Sequence, residues 1–240
     1  PAIFINFFSG CTKQFTLSYV LAFLVGVLTL YFSHPNAVFT MAVLLAPYVV
    51  LLFSSWYIRK KQHEDSAVSL SVRLISLAIP SLFILVIWIV CFINPALSNT
   101  VSFTWGITAS HLQAIVNVLS LSFRLPAGNY LLAIFVAIGF FVLLRNNECS
   151  WLCFSYLIAA AIYIVGASSS GFIKHFLAGF WYTDPYRLGA CAGLMAIPLA
   201  AAGLATFFSL AVKVFDRLGY ELWAKFLACA VCLIFIWCLY

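Results

Sequence analysis

Apolar residues in this chain run in stretches too long for a soluble core. Seven of them fall at about 15–33, 37–58, 70–93, 127–144, 151–167, 188–212 and 224–240, each within the roughly 17–25 residues that carry a helix across a hydrocarbon core. Polar positions are concentrated at the breaks. No stretch alternates with a period of two, and backbone groups in lipid must be satisfied within their own segment, so the pattern predicts helices and not barrel strands. Residues 1–14 are apolar but interrupted by Ser9, Gly10 and Lys13, and read as an interfacial piece or the end of an earlier span. Pro47, Pro80 and Pro198 fall inside predicted spans, where neighbouring helices can satisfy the carbonyls a proline frees. Gly189, Gly193 and the run Ala200–Gly203 give the sixth span a small-residue face suited to close helix approach.

One connection carries a helical pattern of its own. Leu112, Ile115, Val116 and Leu119 recur at spacings of three and four, with His111, Gln113, Asn117 and Ser120 between them. That is an amphipathic helix too polar to span, expected to lie on the membrane interface either as the roof of a lipid-substrate cavity or as a plain connector. The fold expected is therefore all-α and integral to the membrane: about seven transmembrane helices plus one interfacial helix, in a single domain over residues 1–240.

Composition agrees. Hydrophobic residues make up 65% of the chain and charged residues 8%, with a mean hydropathy of +1.12, against about 45–50% apolar in soluble domains. No signal-peptide pattern precedes the first apolar run, and the last one reaches Tyr240 without a polar tail, so the sequence reads as a fragment of a larger protein. The eight cysteines lie mostly in apolar runs and read as reduced, small hydrophobes. Cys229-x-x-Cys232 has no charge or histidine beside it to activate a thiolate, so packing explains it.

Charge then orients the bundle. Lys13, Arg59, Lys60, Lys61, Arg73, Arg145, Lys213, Arg217 and Lys225, nine of the twelve basic residues, fall on alternate connections. Short cytoplasmic loops retain positive charge, which places the N-terminal end inside and the connections at 33–36, 94–126 and 168–187 outside. Glu64, Asp65, Glu148, Asp216 and Glu221 share the inner side, leaving Asp184 as the one outer acid. The net charge of +6 thus reflects topology. No basic, aromatic-interleaved soluble patch supports nucleic-acid binding.

The densest polar stretch is Phe180-Trp181-Tyr182-Thr183-Asp184-Pro185-Tyr186-Arg187-Leu188-Gly189. Asp184 before Pro185 reads as a helix N-cap with proline at the first helical position, Arg187 is spaced to pair with it, and Trp181, Tyr182 and Tyr186 suit an interfacial aromatic belt. A functional reading stands beside this one. Lys174, His175 and Arg187 form a cationic set of the kind a lipid-linked phosphate or diphosphate needs, with Arg187 able to grip phosphate oxygens in a fork. Asp184 would orient a sugar hydroxyl or fix the arginine, and Tyr182 would donate a hydrogen bond. His34, in the turn His34-Pro35-Asn36, is explained by turn chemistry or by a contact to phosphate or sugar at a cavity mouth. No His, Cys or carboxylate set has metal-ligand spacing, so no protein-only metal site is assigned, and use of a divalent cation stays open.

The stretch Trp181-Tyr182-Thr183-Asp184-Pro185-Tyr186-Arg187-Leu188 resembles the aromatic-Tyr-x-Asp-x-x-Arg-Leu element of a group of large actinobacterial polytopic membrane proteins, and His34-Pro35-Asn36 resembles a turn in them. That group is thought to be related to the GT-C glycosyltransferases, which use polyprenyl-phosphate sugars on the extracytoplasmic face. The resemblance covers about residues 15–212, its specific part being some eight residues long. It implies a multi-pass protein of the bacterial inner membrane that moves a sugar from a polyprenyl-phosphate donor to a cell-envelope glycan acceptor. GT-C enzymes carry their acidic catalytic residue in the first outer loop, and no such carboxylate stands here. The resemblance therefore implies a catalytic base upstream, with Asp184 a binding or positioning group. A lipid-carrier flippase or transporter, and a non-catalytic envelope-assembly subunit, are the competing readings.

Overall fold

Continuous apolar runs fold as helices here even where β-branched residues are frequent, because in lipid each segment has to satisfy its own backbone groups. The computed structural model describes residues 21–22, 24–29, 35–62, 69–123, 127–219 and 223–237. Numbered from Pro35, the helices are α1 (Pro35–Gln62), α2 (Leu70–Phe92), α3 (Ser98–Ser102), α4 (His111–Leu119), α5 (Tyr130–Leu144), α6 (Ser150–Ser168), α7 (Phe172–Ala178), α8 (Pro185–Arg217) and α9 (Ala224–Trp237), with 3₁₀ turns at Pro95–Leu97 and Gly179–Trp181. The described residues of 21–29 are helical too.

Among the described residues four helices, α1, α2, α6 and α8, are long and apolar enough to cross a membrane. This is a helical multi-pass membrane protein. Of the other expected spans, 15–33 falls largely outside the described residues, and 224–240 is described over the 14 residues of α9. The expected span 127–144 is realised as α5, whose 15 residues rise only about 22 Å, short of a core about 30 Å thick. Helix starts follow local chemistry: Ser69, Ser110 and Asn129 each accept a backbone N–H from the first turn of α2, α4 and α5.

Contacts between elements fix the direction of each helix. Trp88 near the end of α2 donates its Nε1–H to Phe176 O of α7 (2.9 Å), and Phe92 packs edge-on against Phe172. Thr108 N–H donates to Ala167 O at the end of α6 (2.9 Å). The start of α1, the ends of α2 and α6, all of α7 and the start of α8 thus meet at one end, here the Asp184 end. Helix direction carries Arg59, Lys60, Lys61, Arg73, Arg145, Lys213 and Arg217 to the opposite, basic end.

Burial is uneven. On α2 only Ser76 and Pro80 are buried, and its inner anchor is a hydroxyl pair, Ser54 Oγ to Ser76 Oγ at 2.7 Å. The enclosed helix is α6, tied to α1 by Ser155 Oγ donating to Leu44 O (2.6 Å). Lipid solvates apolar side chains as well as a neighbouring helix does, so close packing and such hydrogen bonds decide which helices associate. The tightest crossing is α5 on α8. A Cβ at Gly139 would overlap the Leu199 carbonyl, and one at Gly203 the Phe135 carbonyl. Of the small-residue face expected on this helix, Gly203 makes that crossing and Gly189 lies under Phe123, while Gly193 faces open space.

Candidate functional site

Two consecutive left-handed residues lead into α8: Tyr182 (φ 59°) and Thr183 (φ 52°). That conformation is unfavourable for a β-branched side chain, so something must hold it. The fully buried Thr183 hydroxyl accepts the Trp105 N–H at 2.8 Å and donates to Phe103 O at 3.3 Å. Trp105 is in turn fixed from its other side, because Lys174 Nζ donates to Trp105 O at 2.8 Å and reaches Gly106 O at 3.5 Å. The extended segment 103–110 is thus strapped over α7 and the turn.

On that support Asp184 caps α8 as its sequence context predicts. Its Oδ1 accepts the Tyr186 N–H at 2.9 Å, with Pro185 at the first helical position. Its Oδ2 pairs with Arg187 Nε at 3.4 Å. Both carboxylate oxygens are therefore engaged, an arrangement suited to holding neighbours in place.

The arginine is held on three sides. Besides Asp184, its guanidinium lies 4.9 Å from the centre of the Tyr182 ring, and Nη1 donates to Asn36 Oδ1 at 2.6 Å, the amide being oriented so that its Nδ2 donates to Phe180 O at 3.2 Å. Asn36 sits at the start of α1, whose next turn supplies Thr40. Thr40 Oγ1 accepts from Trp181 Nε1 at 2.9 Å, and Phe39 stacks on Phe180 with ring centres 4.0 Å apart. The link between α1 and α8 is thus both polar and aromatic. Arg187 still has 50% of its side chain exposed against 13% for Asp184, and its remaining N–H groups make no hydrogen bond to a described residue. The Tyr182 hydroxyl likewise makes none to a described residue. A rigid guanidinium with open donors beside a phenol can receive an anion and one hydroxyl.

The other sequence candidates are placed differently. Lys174 is only 1% exposed, and burial holds its ammonium below the usual lysine pKa. His175 is bonded through Nδ1 to Val101 O (2.7 Å) and through Nε2 to Thr104 Oγ1 (3.2 Å). Neither side chain bonds Arg187 or Asp184, and both brace the strap. His34 lies outside the described residues. Sequence reasoning passed over Asn36 as a site residue, although it ends the His34-Pro35-Asn36 turn at the same end of the bundle, and it passed over Thr183, whose left-handed backbone nothing in the residue pattern marks.

Far from these residues, an open apolar groove of about 190 Å³ lies along α8 beside Phe207, Leu210, Ala211, Val214 and Phe215. The cavity under Trp181, lined by Thr40, Leu44, Ala159, Leu188 and Cys191, measures about 10 Å³, room for one water at most. Among the described residues no three His, Cys, Asp or Glu side chains converge to hold a metal.

Comparison with known proteins gives one family. The model of a family described as "Family of unknown function (DUF6541)" matches residues 2–240. No curated protein and no solved structure matches the chain.

Proposed function

We propose that this chain, which belongs to the DUF6541 family, is the membrane part of a glycosyltransferase-like protein of the bacterial inner membrane. In this reading it handles a polyprenyl-phosphate-linked sugar and a cell-envelope glycan acceptor, with the Asp184 end outside and the basic end in the cytoplasm. The observation that carries the reading is Arg187: half exposed, fixed by Asp184, Asn36 and Tyr182, with donors to spare. A planar guanidinium fixed in this way grips phosphate oxygens through charge-assisted hydrogen bonds, about twice as strong as neutral ones. The unengaged Tyr182 hydroxyl is placed for a sugar or acceptor hydroxyl. Asp184 positions the arginine, and the carboxylate that takes the acceptor's proton is assigned to no residue of this chain. The concentration of basic residues at the far end supports the orientation.

Binding of a polyprenyl monophosphate to the protein in nanodiscs tests this. Saturable binding is expected for the wild type and loss of it for Arg187→Ala. Arg187→Lys should bind more weakly than wild type, because lysine keeps the charge and lacks the fork. Equal binding by wild type and Arg187→Ala would refute the assignment.

A further inference from the structure

The longest connection between spans raises a question of direction. The ends of α2 and α6 lie together, through Trp88 on Phe176, Phe92 on Phe172 and residue 108 on Ala167. Both helices therefore run the same way, and the chain between them has to cross to the basic end once. Among the described residues of that interval the only helix of more than nine residues is α5, at about 22 Å too short to cross alone.

The missing length is beside it. His111 Nδ1 at the start of α4 bonds Ser168 Oγ (2.7 Å). Further along, Asn117 Nδ2 donates to Tyr163 OH (3.1 Å) and Tyr156 OH donates to Val118 O (3.4 Å). Cys153 Sγ then donates to Phe140 O of α5 (3.3 Å). Read down α6 from residue 168 to 153, the partners pass from α4 to α5. Asn129 N–H donates to Ser120 O at 2.7 Å, so the second helix starts where the first stops. The nine residues of α4 and fifteen of α5 give about 36 Å of helix, enough for one full crossing.

We infer that α4 and α5 are the two halves of one interrupted membrane span, with the apolar stripe of α4 turned to the acyl chains. In this arrangement α4 descends along α6, where the residue pattern alone placed it flat on the interface. The side of α4 that packs on the bundle is Ala114, Asn117 and Val118, all buried. Leu112 (72%), Ile115, Val116 and Leu119 (70%) are exposed, and they continue the exposed apolar surface of the spans. No Asp, Glu, Lys or Arg occurs from residue 74 to residue 123, which suits lipid contact along α4; the first charge after it is Arg124, in the break between the two halves, and a guanidinium at that depth has to reach water or a polar partner. The first four residues of the break are covered by protein, as irregular backbone at membrane depth must be: Ser120, Leu121 and Ser122 are buried, and Phe123 packs on Tyr163. Leu121 (φ 53°) and Phe123 (φ 35°) are left-handed there, the strain of leaving and re-entering a helical path.

Nitroxides attached through p-acetylphenylalanine at positions 112, 119, 134 and 141, one at a time, leave the native cysteines in place and report depth in nanodiscs by oxygen against nickel-chelate collision. An interrupted span gives the highest oxygen preference at Leu119 and Ile134 and a lower one at Leu112 and Phe141. Equal, shallow values at 112 and 119 would mean a helix flat on the interface, and nickel-dominated values at both an aqueous loop. Either result overturns the inference. Leu112→Lys and Leu119→Lys provide a second readout independent of the label: the loss of thermal stability should be larger at 119, and equal small losses would contradict the descent.

Discussion

Lys174 shows at the scale of one residue how local chemistry reassigns a charge. An ammonium buried without a carboxylate beside it is normally expensive, and here two backbone carbonyls accept its hydrogen bonds. Burial lowers its pKa in the fold, so between that lowered value and the ordinary lysine range the unfolded chain binds more protons than the folded one. Stability should therefore rise with pH through that window, the neutral amine keeping N–H groups for the same carbonyls. Thermal unfolding in detergent from neutral pH to about 10.5 should show wild type gaining relative to Lys174→Met; parallel curves would mean that the lysine is not buried as described. Nothing in the local sequence announces this, because its partners at 105 and 106 lie about seventy residues away. The cap by Asp184 was legible for the opposite reason, since Asp184, Pro185 and Arg187 are neighbours in sequence and their interactions are local.

Helices differ in how much of their role the pattern carries. The runs that became α1, α2, α6 and α8 were legible as spans because lipid demands long apolar segments and little else. The joining of α4 to α5 was not, because Arg124, Pro126 and Gly128 mark a break between them and the spacing of α4 suits an interfacial helix as well as half a span. The α5–α8 crossing lies between these cases: a small-residue face was visible on α8, but which glycine touches a neighbour depends on its partner helix. That distinction is testable. Gly203→Ala puts a methyl into the Phe135 carbonyl and should cost on the order of 1–3 kcal/mol by overpacking, whereas Gly193→Ala enters open space and should be neutral or mildly stabilising through helix propensity. Equal melting temperatures for the two variants in detergent would show that the crossing is looser than described.

Across the whole molecule, one end collects charge-bearing connections and the other collects aromatic rings, a strap and a single carboxylate–guanidinium pair. The sequence showed this asymmetry through the spacing of its lysines and arginines, and helix directions reproduce it. What the chain order hid is the assembly of the site from distant segments: Asn36 at the start of α1, the strap near 105 and the start of α8 meet only once the spans pack. The proposed function turns on whether that assembled guanidinium meets a phosphate during sugar transfer. The most direct measurement is transfer of labelled sugar from a polyprenyl-phosphate donor to glycan in membranes carrying wild type, Arg187→Lys or Asp184→Asn at matched levels of folded protein. A loss of about tenfold or more is expected for Arg187→Lys, the worth of one charge-assisted hydrogen bond, and a smaller loss for Asp184→Asn, where Asn36 and Tyr182 still hold the arginine. Transfer unchanged in both variants would contradict the proposed function.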